Sequence, residues 1–214
     1  MKFTKLNLYR TLLMCAGFMV AAFGSALYVY SGLGADAFNL MVQGVSGVLG
    51  LAIGTTSSLI QFIFLALLIF VSRPLIGIGT FGGTILIGMV MNLCEIFLQP
   101  QLAHAGLLMR VLCVMLAPII VGTGVAMVNL ASMGMAPNDI LSVWLFTRQK
   151  KLPYRAVRII YDVVQLAIGL ALGGVVGIGT VLSAVLTGPA IQAASGVLEK
   201  LTPQQMQRSE RAHV

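Results

Sequence analysis

Two opposite charges stand inside an apolar run in the second half of the sequence. Arg158 and Asp162 are four residues apart, so on a helix they share one face and can form an ion pair, and Tyr161 and Gln165 add polar groups nearby. An ionisable group inside an apolar helix is costly and usually faces a polar interior. The pair predicts a substrate or proton site in which Asp162 titrates and Arg158 holds an anion. A structural ion pair near the helix end is the alternative.

A second polar set lies in two short stretches that match each other position by position. Residues 34–39 correspond to residues 134–139, with Asp139 at the position of Asn39 and Asn138 beside it. Pro137 with an acidic residue near it suits a helix start, where the macrodipole favours negative charge. The stretches predict two re-entrant elements that approach a shared site through Asn39, Asn138 and Asp139. Two capped interfacial helices are the alternative.

A glycine motif, Gly-Ile-Gly-Thr, occurs at 77–80 and again at 177–180. Glycine adopts positive φ and permits close backbone approach, and threonine at a helix start is a good N-cap. The functional interpretation is an anion or substrate carboxylate held at the helix N-terminus. The alternative is a tight capped turn. The predicted structural turn residues are Gly34, Gly77, Gly79, Thr80, Gly134, Gly177, Gly179 and Thr180.

These motifs belong to one internal repeat whose register is 100 residues throughout. Arg10 falls on Arg110 and Gly24 on Gly124, for example. A repeat of this kind decides the architecture. The chain therefore divides into a first repeat with a basic N-terminus (1–98), a linker (99–106), a second repeat (107–198) and a polar tail (199–214).

The composition is that of a membrane protein. Hydrophobic residues make up 58% of the chain and charged residues 9%, with a mean hydropathy of +0.99, whereas a soluble domain carries roughly a quarter charged residues. The lipid bilayer is therefore a predicted partner. The net charge of +7 does not indicate nucleic acid, because the basic residues stand at the ends of apolar runs. The sequence shows no metal spacing, cofactor motif or catalytic nucleophile set, so no metal, no cofactor and no enzymatic activity are predicted.

Six apolar runs predict an all-α, polytopic membrane fold. The predicted transmembrane helices cover 11–30, 55–72, 81–98, 107–130, 157–172 and 181–198. Arg73-Pro74 ends the second, since proline disfavours helix in the residue before it. Stretches 35–50 and 135–150 are too short and polar to span, and each is predicted as a re-entrant or interfacial helix. Glu95, near the outer end of the third helix, is expected to be solvated.

Basic residues predict the orientation in the membrane. They precede the first predicted span, follow the second, precede the fifth as a cluster at 148–158 and follow the sixth. The alternate loops, 31–54, 99–109 and 173–180, hold no Lys or Arg. Both termini and the tail are therefore predicted in the cytoplasm. Three spans per unit is an odd number, so the two three-helix repeats must be inverted relative to each other.

The motifs together resemble the YczE/YyaS/YitT family of small bacterial integral membrane proteins, and its YczE branch most. The family motifs fall on Gly32, Gly34, Phe38, Asn39, Gly134, Pro137, Asp139, Arg158, Asp162, Gly173, Gly174, Gly177, Gly179, Thr180, Gly188 and Pro189. Ala37, Phe38 and Asn39 stand where the family usually has Pro-Trp-Asp, so Asn39 would remove half the charge of a paired aspartate site. Asp162 stands where glutamate is common. The resemblance implies a multi-pass protein of the bacterial inner (cytoplasmic) membrane and little about its activity.

We predict a small secondary transporter or permease-like protein that acts on a small-molecule or ion substrate. An inverted repeat, glycine-broken segments in both halves and an intramembrane charge pair are typical of such proteins. The small size predicts a homodimer. The alternative is a non-transporting membrane protein that regulates or scaffolds a partner, with the basic loop 148–158 docking on anionic lipid or an acidic protein.

Overall fold

The computed structural model describes residues 5–71, 76–149 and 151–201, and every regular element within them is an α-helix. The helices are α1 (Lys5–Ser31), α2 (Ala37–Leu49), α3 (Ile53–Val71), α4 (Ile78–Ala103), α5 (Leu107–Ala131), α6 (Pro137–Arg148), α7 (Tyr154–Ala171) and α8 (Ile178–Leu201). The predicted helix stop at Arg73-Pro74, the basic residues Lys2 and Lys150, and the tail beyond residue 201 lie outside the described residues.

Five of these helices are long and apolar enough to cross a bilayer: α1, α3, α4, α5 and α8. They coincide with five of the six predicted spans and make the chain a multi-pass membrane protein. The remaining predicted span, 157–172, corresponds to α7, which carries Arg155, Arg158 and Asp162 and is less apolar. Helices α2 and α6 have 13 and 12 residues, about 20 Å at 1.5 Å per residue, too short for a core about 30 Å thick.

Two predicted boundaries are corrected by the structure. Helix α4 continues through Pro100 to Ala103, so the predicted linker 99–106 shrinks to the three residues after it. Leu102 is buried, and its packing holds the last turn although proline removes one helical hydrogen bond. Helix α8 likewise runs to Leu201, past the predicted start of the tail.

Equivalent helices of the two repeats, α1 and α5, form the centre of the bundle. Gly17 packs against Gly124 and Val128, whereas Gly24, two turns later, packs against Val121. The contact on α5 thus moves backwards as α1 advances, so the two helices run antiparallel. Glycines at the contact let the backbones approach closely, as at many helix interfaces in membranes.

The segment after each of these helices docks on the opposite repeat. The Gly179 N–H at the start of α8 donates to the Leu33 carbonyl at 2.9 Å, and the Gly79 N–H at the start of α4 donates to the Met133 carbonyl at 3.0 Å. We call these the first and second docking contacts. Gly34 and Gly134 have φ of +101° and +128°, a conformation that favours glycine. The repeated glycine motif is thus explained by backbone docking between halves.

The threonine of each motif closes its turn, but not as the N-cap residue. Gly77 is the N-cap of α4, and Thr80 stands three residues later, where its hydroxyl accepts from the Gly77 N–H at 3.2 Å. Thr180 accepts from the Gly177 N–H in the same way at 3.4 Å. The predicted threonine N-cap is therefore corrected to half of a capping box, in which the third helical residue reaches back to the cap.

Helix α4 supplies polar groups that cap the start of α3. The Ile53 N–H donates to Glu95 Oε2 at 3.3 Å, and the Thr55 N–H donates to Asn92 Oδ1 at 3.1 Å. Tyr30 also donates to Glu95, at 3.3 Å. The first N–H groups of a helix have no partner within it, so these side chains satisfy them. The expectation of a merely solvated Glu95 is corrected accordingly.

Replacement of Gly34 by alanine is expected to destabilise the protein. A Cβ there would lie 2.5 Å from the Gly177 nitrogen and would impose a positive φ on alanine. We expect Gly34→Ala to lower the free energy of unfolding by about 2–4 kcal/mol, measured by thermal unfolding in detergent. Gly82→Ala, where a Cβ meets nothing within 4 Å, is the matched control. Equal stability of the two variants would show that the first docking contact is dispensable.

Candidate functional site

Arg158 is held between two carboxylates from two different helices. Its Nη1 lies 2.9 Å from Asp139 Oδ1 on α6, and its Nε lies 3.3 Å from Asp162 Oδ1 on the same helix, α7. Nη1 also donates to Ser142 Oγ at 3.1 Å. The pairing of Arg158 with Asp162 that the spacing indicates is therefore present, together with a second carboxylate. These two donors are engaged and are not free to bind an anion.

A buried amide pair continues the site along α7. Asn138 Oδ1 accepts from the Tyr161 hydroxyl at 2.7 Å and from Gln165 Nε2 at 2.6 Å. Gln165 is only 3% exposed, and its Oε1 has no hydrogen-bond partner among the described residues. A buried acceptor without a donor costs about 1–3 kcal/mol. The structure thus places Asn138 and Gln165 together, next to the ion pairs.

Asp36 brings a third carboxylate to the site from the first repeat. It is the N-cap residue of α2, accepting from the Asn39 backbone N–H at 3.4 Å and from Asn39 Nδ2 at 2.7 Å. It interacts electrostatically with Arg158 and Asp162. Burial raises the pKa of the Asp36 carboxyl above its ordinary value, and the hydrogen bonds from Asn39 act in the opposite direction.

The sequence-based interpretation missed Asp36. It expected the asparagine at position 39 to remove half of the charge of a paired site, whereas Asn39 instead holds a carboxylate one turn earlier. The available signal was the spacing Asp-x-x-Asn directly before a helix, which is typical of an N-cap. That spacing predicts the local hydrogen bonds but not the direction in which the charge faces.

Helix α2 packs along α7, and this packing determines where Asp36 lies relative to the polar residues of α7. Leu40 packs on Gly169, and Gly44 packs on Gly169 and Leu172, so the two helices run parallel. Asp36 stands four residues before Leu40, and Gln165 stands four residues before Gly169. Both belong to the set that we call the polar cluster, whose members are Asp36, Asn39, Asn138, Asp139, Ser142, Arg158, Tyr161, Asp162 and Gln165.

The ion pair of the polar cluster has no charged counterpart at the equivalent positions of the first repeat. Ser58 and Phe62 occupy the positions equivalent to Arg158 and Asp162, and Ser58 donates to the Thr84 carbonyl in the contact of α3 with α4. The turn residues Gly34, Gly77, Gly79, Thr80, Gly134, Gly177, Gly179 and Thr180 form the docking contacts. Among the described residues, no three or more His, Cys, Asp or Glu side chains lie close enough together to hold a metal ion.

The sequence profile of one protein family, described as a family of unknown function (DUF6198), matches residues 8–196. The chain belongs to this family. An uncharacterized protein of Haemophilus influenzae is 28% identical over 197 residues, covering 90% of this chain and 87% of that protein. No solved structure matches the DUF6198 chain.

Two Bacillus subtilis relatives carry the names expected from the motifs. The uncharacterized protein YyaS is 24% identical over 187 residues (86% of this chain, 91% of that protein). The uncharacterized membrane protein YczE is 26% identical over 174 residues (81% and 79%). The resemblance to the YczE/YyaS group is thereby confirmed. The name of YczE also agrees with the membrane character of this DUF6198 chain.

Removal of the central cation is expected to destabilise the DUF6198 chain more than removal of the whole charge set. Arg158→Met leaves Asp139 and Asp162 facing each other without a partner. We expect a loss of about 2–3 kcal/mol in the free energy of unfolding, at the low end for buried pairs because each side chain keeps about a third of its surface exposed. The triple variant Arg158→Met/Asp139→Asn/Asp162→Asn should recover most of it.

The comparison of these two variants separates charge from packing. Both variants lack the same guanidinium. The difference between their free energies of unfolding, measured in detergent by heat or by a denaturing surfactant, therefore reports the cost of the unpaired carboxylates. A triple variant that is no more stable than Arg158→Met would show that packing, and not the ion pairs, explains the loss.

Proposed function

We propose that the protein is a small secondary transporter or permease-like protein whose binding site is the polar cluster. The observation that carries this proposal is the convergence of Arg158, Asp139 and Asp162 with Asp36, from the other repeat, inside a multi-pass membrane protein. Charged groups within a membrane protein are expensive and mark substrate or ion pathways. A buried ion pair is also weak evidence for stability, since apolar residues often replace it without loss.

The proposed architecture is six spans arranged as two inverted three-helix repeats, with α7 as the span that composition alone does not identify. The antiparallel packing of α1 with its equivalent α5 supports an inverted relation between the halves. The two docking contacts support it as well, because each half receives the loop of the other through equivalent residues. In such transporters the site lies near the midplane, where the repeats meet.

The proposed location is the bacterial inner membrane with both termini in the cytoplasm. The exposed basic residues Arg148, Lys151 and Arg155, which lie between the end of α6 and the first turn of α7, agree with a cytoplasmic loop. A homodimer is the proposed assembly, supported by α8, whose most apolar stretch is only 6% buried.

The alternative proposal is a non-transporting membrane protein that regulates or scaffolds a partner. The same three exposed basic residues favour it, since such a loop can bind anionic lipid or an acidic protein surface. It requires no binding of solute by the polar cluster. Solute-driven currents and co-purification of a partner therefore distinguish the two proposals.

Labelling of single cysteines tests whether α7 crosses the membrane. In a variant without the three native cysteines, Lys151→Cys and Val176→Cys place exposed thiols before and after α7. We expect a membrane-impermeant maleimide to label Val176→Cys from outside intact cells and Lys151→Cys only after permeabilisation. His104→Cys, on the proposed outer side, is the positive control. Labelling of both flanks from the same side would contradict the six-span arrangement.

Transport itself is tested by solid-supported-membrane electrophysiology on proteoliposomes. Concentration jumps of inorganic salts, small amines, carboxylates and sugars are applied to the wild type, Asp162→Asn and Glu95→Gln. We expect at least one solute to give a saturable current that falls about 10- to 100-fold in Asp162→Asn, because a hydrogen bond to a charged group contributes about 1.5–3 kcal/mol. Glu95→Gln keeps the acceptor that caps α3 and should keep the current.

Protein-free liposomes give the background, and size-exclusion chromatography shows that each variant is folded. Currents at background level for every solute, together with a partner that co-purifies at fixed stoichiometry, would replace the transporter proposal by its alternative.

A further inference from the structure

We propose that the polar cluster binds a compact monovalent cation, either an alkali metal ion or a primary ammonium group, between Asp36 and Asp162. The neutral ligands would be the free Oε1 of Gln165 and the hydroxyl of Tyr28. This assignment names the class of substrate or coupling ion for the site proposed above, and as a transport role it rests on that proposal. The binding itself can be measured without transport.

The charge balance of the polar cluster favours a cation. Asp139 and Asp162 contact the guanidinium of Arg158, and Asp36 interacts with it electrostatically. Arg158 can balance one of its two ion-pair partners, which leaves a surplus of negative charge. The amides of Asn138 and Gln165 and the hydroxyl of Tyr161 are neutral. In a membrane interior an uncompensated carboxylate is costly, so a bound cation would relieve a real penalty.

Two buried side-chain oxygens, Gln165 Oε1 and the Tyr28 hydroxyl, have no hydrogen-bond partner of ordinary geometry among the described residues. Gln165 follows Asp162 by three residues on α7, its Nε2 donates to Asn138 Oδ1, and its side chain is 3% exposed. Tyr28 of α1 is 1% exposed and interacts electrostatically with Asp36. Its hydroxyl lies near Thr187 yet makes no hydrogen bond of ordinary geometry within the described residues. Buried polar atoms are nearly always paired, so the buried Oε1 of Gln165, which has no partner among the described residues, favours a ligand at the polar cluster.

The arrangement disfavours the two other charge classes. An anion would have to share Arg158 with Asp139 and Asp162, whose carboxylates already contact Nη1 and Nε and would repel it. The described part of the chain contains no group of three or more acidic, His or Cys side chains that could hold a metal ion, so the strongly charged ligand set that favours a divalent ion is not present there. Alkali ions and primary ammonium groups accept a mixed set of one or two carboxylates and neutral oxygens, which is the set present here.

The proposed ligands come from both repeats, which gives the cation a structural role. Asp36 stands two residues after Gly34, in the segment that docks on α8, whereas Asp162 and Gln165 belong to α7. A cation bound between them would link the segment of the first docking contact to α7. Occupancy would therefore stabilise the contact between halves, as a ligand that binds the folded state must.

Thermal unfolding of the detergent-purified protein tests the inference. The probes are the chlorides of Na⁺, K⁺ and methylammonium, each titrated at constant ionic strength against N-methyl-D-glucamine chloride, whose bulk excludes it from a compact site. We expect a saturable rise in Tm of about 5 °C at roughly 100 times the Kd for at least one probe. Separate titrations with the alkali ions and with methylammonium show which class of cation binds.

Three variants make the result specific to the site. Asp36→Asn, whose amide oxygen can still cap α2, and Asp162→Asn should each weaken the apparent affinity at least tenfold. Glu95→Gln, at a partly buried carboxylate outside the polar cluster, should respond as the wild type does. No cation-dependent rise in the wild type, or equal responses in all four proteins, would overturn the inference.

The outcome is separable from that of the transport experiment. Cation binding without any current would support this inference and overturn the transport proposal. Currents carried by a neutral or anionic solute without cation-dependent stabilisation would support transport and overturn this inference.

Discussion

The structure depends on one constraint, the need of every backbone polar group inside a bilayer to find a partner within the protein. Helices meet this need along their length but not at their broken ends. Here the breaks after α1 and α5 are satisfied by the first turns of α8 and α4, through Leu33 with Gly179 and Met133 with Gly79. Each half of the protein therefore completes the other, and glycine is required wherever the two backbones meet.

This exchange explains why a symmetric scaffold can hold an asymmetric site. The docking contacts use backbone atoms and glycines, so they tolerate different side chains at neighbouring positions. Arg158 and Asp162, for example, occupy the positions at which the first repeat has Ser58 and Phe62. The first repeat supplies Asp36 from a loop, and the second supplies the remaining charges from α6 and α7. Equivalent backbone contacts therefore occur in both halves, whereas most of the charges of the polar cluster lie in the second half.

The sequence alone predicts the features that depend on neighbours along the chain. The spacing of Arg158 and Asp162 predicts their pairing, and the repeated glycines predict matching turns. Asp139 was predicted to approach a shared site, but its ion pair with Arg158 could not be predicted, because it depends on how α6 packs near α7. Helix α4 passes through Pro100 because Leu102 is packed, a tertiary effect that outweighs the local preference. The N-cap role of Asp36 depends on residues next to it in sequence and can be read from the spacing. Its electrostatic interaction with Arg158 depends on tertiary packing, and for that reason the sequence did not indicate it as a site residue.

The reciprocal docking also dictates an order of assembly during synthesis. The start of α4 is inserted before its partner carbonyl at Met133 exists, and the carbonyl of Leu33 waits still longer for Gly179. The second contact must therefore close first, and the first contact only after the last helix has entered the membrane. Until then the first repeat carries broken helix ends whose polar atoms need temporary partners, such as water, lipid head groups or the insertion machinery. A ribosome that stalls before α8 would release a chain lacking its final closure.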